Sequence, residues 1–143
     1  MADISHLITI AAPPKVLFPL VATGPGLAEW WAEDVVVRPD GAVDLGFFNR
    51  ATLYRLRPQT QLSPNRASWV CETGKEWEGT RLTFELAPSG TGTALRFAHT
   101  DWREATDYFV SCNTTWGGLM FRLRATAEGK APGPLFSRDG LGY

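Results

Sequence analysis

The most regular pattern in the chain has period two. Across residues 80–86, Leu82, Phe84 and Leu86 face one way, while Arg81, Thr83 and Glu85 face the other. Pro88-Ser89-Gly90-Thr91-Gly92 then supplies a turn. Residues 93–100 repeat the alternation, with Leu95, Phe97 and His99 on one face and Arg96 opposite. Two alternating segments joined by a Gly-rich turn predict an antiparallel hairpin with one buried face. Shorter apolar or β-branched runs predict further strands at residues 6–11, 35–38, 42–48, 50–57 and 67–72. Pro39-Asp40-Gly41 and residues 73–76 read as turns. The polar residues 59–65, which include a proline, read as a loop.

Two regions switch to helical spacing. Pro14 suits a first helical turn, and Val16, Leu17, Leu20 and Val21 then share one face. Pro19 removes a backbone donor and is expected to kink or shorten this helix. Thr23-Gly24-Pro25-Gly26 reads as a break. Leu27, Trp30 and Trp31 then give a second short helix that ends near Ala32. The last helix is predicted over residues 106–128, with Thr106 or Asp107 as its cap. Phe109, Cys112, Trp116, Leu119 and Leu123 recur at three- and four-residue steps, with Met120 alongside. At 1.5 Å per residue this helix spans roughly 33 Å, enough to cross a sheet. Gly117-Gly118 in its middle costs about 1 kcal/mol each relative to Ala, which predicts a close backbone approach there. Gly129 and Pro132 mark its end. An irregular tail is expected over residues 130–143, with Leu135 and Phe136 available to dock.

The whole chain, 143 residues, fits one domain with its core at about residues 6–129. Six Trp, eight Phe and three Tyr are a heavy aromatic share, able to fill a core or to line a space that the core leaves open. The net charge of −1 and the lack of a basic run argue against nucleic acid as a partner. No apolar run approaches the roughly 20 residues that span a bilayer, so no membrane partner is expected. The N-terminal residues lack the pattern of a signal peptide, and a cytoplasmic location is the default expectation. Cys71 and Cys112 then read as reduced thiols. With two His and no Cys-x-x-Cys, neither a metal nor any cofactor is expected.

The order of elements is strand, two short helices, about six strands and one long helix. Ile10-x-Ala12-Pro13-x-x-Val16 opens it, followed by Leu27-x-x-Trp30-Trp31. Gly79-Thr80-x-Leu82-x-Phe84-x-Leu86 and Gly92-Thr93-x-Leu95-x-Phe97-x-His99-x-x-Trp102 form the middle. Trp116-x-x-Leu119 and Glu128-Gly129 lie in the last helix. In this arrangement the chain resembles the START-like (SRPBCC, helix-grip) superfamily, and within it the activator of heat-shock-protein ATPase homologue family. The resemblance spans residues 7–129. It implies an α+β helix-grip fold: a curved antiparallel sheet of about six to seven strands wrapped around the long C-terminal helix, with a cavity between them.

Residues on the inner face then become candidate ligand contacts. Trp69, Cys71, Phe84, Phe97 and His99 come from strands, with Leu95 beside them. Asn113, Trp116 and Met120 come from the helix, with Phe109 and Cys112. Trp30 and Trp31 would wall one mouth, one of them structural and the other freer to meet a ligand. Trp77 and Trp102, at loops, would close the mouth or touch another protein. His99 and Asn113 are polar groups expected on apolar faces, where each needs a partner. They either bond to backbone or water, or orient a polar group of a ligand. Cys71 or Cys112 with His99 would make a nucleophile–base pair, although inert buried cysteine is the commoner case. Glu72, Glu76 and Asp101 are the acids nearest the rim, at positions that suit solvated charge.

These features point to binding of a largely apolar or aromatic small molecule more than to catalysis. Two alternatives stay open: a protein-interaction module that modulates a chaperone ATPase, or a cyclase- or hydrolase-type enzyme. A homodimer is compatible with either. No catalytic residue is assigned.

Overall fold

The two alternating segments pair as their pattern predicts, and the rest of the sheet grows outward from them. In the computed structural model, which describes residues 2–59 and 64–141, the chain runs β1 (Ala2–Ile10), α1 (Pro14–Ala22), α2 (Gly24–Trp30) and β2 (Asp34–Val37). It continues through β3 (Val43–Phe47), β4 (Thr52–Pro58), β5 (Arg66–Cys71), β6 (Arg81–Ser89), β7 (Gly92–Trp102) and α3 (Asp107–Ala127). Seven strands form one antiparallel sheet in the order β1-β7-β6-β5-β4-β3-β2. Phe84 pairs with Phe97 and Leu82 with His99, so the predicted inner face is the observed one. A two-residue turn closes this hairpin, with Gly90 at φ 59. Of the loop expected over residues 59–65, residues 60–63 lie outside the described residues.

Two local expectations change. The break between the short helices is one residue, because Gly24–Gly26 already belong to α2. Thr23 caps α2 by accepting from the Gly26 N–H at 3.0 Å. Gly26 is required there, since a side chain would run into the Pro19 carbonyl of α1. Pro19 does not end α1, which continues to Ala22; the Pro19 carbonyl accepts the Thr23 hydroxyl at 2.8 Å.

Helix α3 lies across the concave face, capped by Thr106 and buried along Cys112, Trp116, Leu119, Met120, Leu123 and Ala127. At its far end Glu128 accepts the Ala11 N–H at 2.8 Å, which pins the helix to the end of β1. Among the described residues no helix is long and apolar enough to cross a membrane.

The expected close backbone approach is absent at Gly117. A methyl group there would meet the nearest atom, His6 Cε1, at an ordinary 3.8 Å. Gly117→Ala should therefore stabilise the chain by about 0.5–1 kcal/mol through helix propensity alone. Urea denaturation checks this; a destabilised variant would mean that β1 cannot accept the methyl group.

Candidate ligand-binding cavity

Side-chain volume decides where sheet and helix fail to meet. Toward the C-terminal half of α3 the space is filled. Phe84 and Phe97 pack at 5.1 Å between ring centroids, and Phe97 meets Trp116 at 4.2 Å. Toward the N-terminal half, the β3–β4 hairpin stands away from α3 and leaves a cavity of about 280 Å³.

The inner wall is aromatic. Trp31 meets Trp116 at 4.9 Å and Trp77 at 6.1 Å. Tyr54 stacks flat on Trp77, with centroids 4.0 Å apart and planes within 3°. Phe47 adds an edge contact to Phe136 at 4.9 Å. Stacked and edge-to-face pairs of this kind are worth about 0.5–1.5 kcal/mol each beyond burial.

Behind the wall runs a closed hydrogen-bond chain. Trp116 Nε1 donates to His99 Nδ1 at 3.1 Å. With Nδ1 accepting, the proton of the neutral ring sits on Nε2, which donates to Thr80 Oγ1 at 2.8 Å. The Thr80 hydroxyl donates in turn to the Trp77 carbonyl at 2.6 Å. His99 has no exposed surface, and burial holds its pKa down to about 3. It is a positioning residue that fixes Trp116 and the Trp77 backbone.

The polar atoms that line the cavity are uncharged. The Tyr54 and Tyr108 hydroxyls bond to each other across one side. Burial lifts the Tyr54 phenol above its ordinary range and pushes Tyr108 up to about 12. Burial also raises the Cys112 thiol, against smaller opposing pulls from the Trp77 indole N–H and the Tyr108 hydroxyl. Among the described residues, the buried Trp77 Nε1 makes no well-formed hydrogen bond and has only the Cys112 sulfur, a weak acceptor, near it.

The mouth is held by the tail. The Leu135 and Phe136 N–H groups donate to the Trp30 and Trp31 carbonyls at 3.0 and 2.9 Å. The Asn49 N–H donates to the Arg138 carbonyl at 2.6 Å, and the Arg138 N–H donates to Glu33 Oε1 at 2.8 Å. Phe136 and Leu141 are thereby laid over the opening, with Phe48 against Phe136 at 6.1 Å.

Of the sequence-nominated residues, Trp31, Trp77, Cys112 and Trp116 line the cavity together. Trp30 does not; it is fully buried and donates to the Leu20 carbonyl at 2.9 Å. Trp69 likewise donates to the Val21 carbonyl at 2.9 Å. Phe84, Phe97 and Met120 are core. Trp102 is buried against His99 and Phe109 rather than standing at the mouth. Asn113 is exposed, because it sits one residue, about 100° of helix, beyond inward Cys112. Cys71 donates to the Thr73 carbonyl, and burial pushes its pKa up to about 12. Both His99 nitrogens are occupied, so neither cysteine has a base in that ring. Glu72 pairs with Arg57 at 2.8 Å, and Glu76 accepts the Thr106 hydroxyl at 2.5 Å. Phe47, Tyr54, Tyr108 and Phe136 were missed as lining residues. Alternation puts Tyr54 on the inner face, yet nothing local says that a cavity lies beside it.

No family model matches the chain, and no curated protein matches it at a significant level. Solved structures do. The Aha1 dimer from Colwellia psychrerythraea is 26% identical, with a TM-score of 0.77 over 90% of this chain and 98% of that one. Protein MLL2253 from Mesorhizobium loti is 14% identical, with a TM-score of 0.75 over 89% and 97%. DynU16, from the dynemicin biosynthetic locus, is 12% identical, with a TM-score of 0.71 over 91% of this chain and 48% of that one. The chain thus has an Aha1-like, START-like fold.

The His99 chain carries a pH signature. Between about pH 3 and 6.5 the unfolded chain binds a proton at this ring that the folded chain refuses. Stability should therefore fall as pH drops through that window, by at most about 1.4 kcal/mol per unit. Urea denaturation from pH 7.5 to 4.5 should give a smaller loss for His99→Gln than for the parent chain. Equal losses would remove His99 as the cause.

Proposed function

We infer that the chain binds a neutral, largely apolar small molecule with an aromatic face, in the cavity between the β3–β4 hairpin and α3. The observation that carries this reading is the lining itself. Aromatic rings dominate it, and among the described residues that line the cavity none bears a charge. Burying an ionised group against such a wall would be costly, whereas a flat apolar ring gains both area and ring contacts. The volume of about 280 Å³ lies near the lower edge of common ligand sites, which run from about 300 to 1,000 Å³. A two- or three-ring molecule suits it better than a long acyl chain. Origin of one fold neighbour in a biosynthetic locus is compatible with this reading.

An enzymatic role has less support. The inner imidazole is neutral and doubly bonded, both thiols are held protonated, and no acid lines the cavity among the described residues. Modulation of a chaperone, or a homodimer like that of the Aha1 neighbour, rests on fold likeness alone.

The neutral fluorophore N-phenyl-1-naphthylamine should bind at one site per chain and quench tryptophan emission. Thr115→Trp places a large ring from α3 into the cavity and should weaken this binding at least tenfold, with little change in unfolding midpoint. Saturable binding that Thr115→Trp leaves intact would move the ligand elsewhere.

A further inference from the structure

The cavity has a surplus of hydrogen-bond donors gathered in one corner. Two phenols hold two hydroxyl protons, and the Tyr54–Tyr108 bond uses only one of them. The Cys112 thiol beside Tyr108 offers sulfur, a weak acceptor, for the other. Trp77 lies against the same group, stacked on Tyr54, and its buried Nε1–H makes no well-formed hydrogen bond among the described residues, its neighbour being the weakly accepting Cys112 sulfur. Indole nitrogen can only donate. By contrast, the Trp116 N–H is already spent on His99. Buried donors left unpaired cost free energy that an arriving acceptor recovers.

Resting on the binding reading above, we propose that the ligand carries a neutral acceptor oxygen, as in an aryl ketone or quinone, seated against Tyr54, Tyr108 and Trp77. The aromatic body lies along Trp31 and Trp116, and the oxygen meets the donor corner. Tyr54 and Tyr108 become the specificity-determining residues. They select against hydrocarbons, which leave the donors unpaired. Burial raises both phenol pKa values, so Tyr54 and Tyr108 stay protonated at neutral pH and keep their donor role.

The test compares 2-acetylnaphthalene with 2-isopropenylnaphthalene, which has the same shape with CH₂ in place of the carbonyl oxygen. The parent chain should prefer the ketone by about tenfold in Kd, the scale of one well-made hydrogen bond. The Tyr54→Phe, Tyr108→Phe double variant retains both rings and should lose most of that preference while still binding the alkene. The infrared carbonyl stretch of the bound ketone should shift to lower frequency in the parent chain and revert in the variant. Equal affinities for the two probes with an unshifted carbonyl would overturn the donor corner and leave the apolar cavity standing. Binding of neither probe would overturn both.

Discussion

The buried chain Trp116–His99–Thr80–Trp77 is the constraint on which the site depends. It joins helix α3, strand β7 and the loop before β6 through three consecutive hydrogen bonds. Each is buried, so breaking one leaves a buried polar group unpaired. Rotation of Trp116 is thereby coupled to the position of Trp77, and Tyr54 is stacked on Trp77. A cavity that would otherwise collapse under apolar attraction has two of its walls fixed from behind. The neutral imidazole is essential to this, because a protonated ring could not accept from the Trp116 indole.

Charge is kept on the other side of the sheet. Asp44 lies between Arg38 and Arg55, at 3.2 and 2.8 Å, and Arg57 bridges Asp40 and Glu72. The arginines hold the Asp44 carboxyl below its usual range. The Arg57 pairs are half-exposed and contribute little to stability, whereas Asp44 is 4% exposed. The ladder's consequence is one of placement: Asp44 on β3 and Arg55 and Arg57 on β4 point outward, while Leu45, Tyr54 and Leu56 point inward. Period two in the strands thus explains why the cavity lining is neutral.

The same periodicity made the fold legible. Alternation in β6 and β7 put Phe84, Phe97 and His99 on the inner face, and the three- and four-residue rhythm of α3 placed Cys112, Trp116 and Leu123 there. Inwardness was readable; proximity to empty space was not. Whether an inward side chain touches packed core or cavity depends on how far β3 and β4 stand from α3, which no local pattern encodes. Asn113 failed for a different reason: a residue adjacent to an inward one on a helix points elsewhere. Leu135 and Phe136 were readable as residues able to dock, but not where. Their partners are the Trp30 and Trp31 carbonyls, freed at the end of α2 and carrying no side-chain signature.

At the mouth, backbone strain and charge are set against each other. Phe48, Asn49 and Arg50 take left-handed conformations in succession, with φ of 53, 55 and 67. Asparagine tolerates this; for the other two it costs about 1–2 kcal/mol each. The turn is held by Arg50, whose Nε and Nη2 both donate to Asp34 at 2.9 Å, and Asp34 is 4% exposed. A bidentate pair to a desolvated carboxylate is among the stronger ion-pair geometries. Gly46 makes it feasible, since a side chain there would collide with that carboxylate. Arg138 reaches the same Asp34 at 3.6 Å from the tail. One buried acid therefore organises the turn that carries Phe48 and the segment that carries Phe136. The strain sits where two aromatic rings must be held over an opening, a position that a relaxed two-residue hairpin turn would not give them.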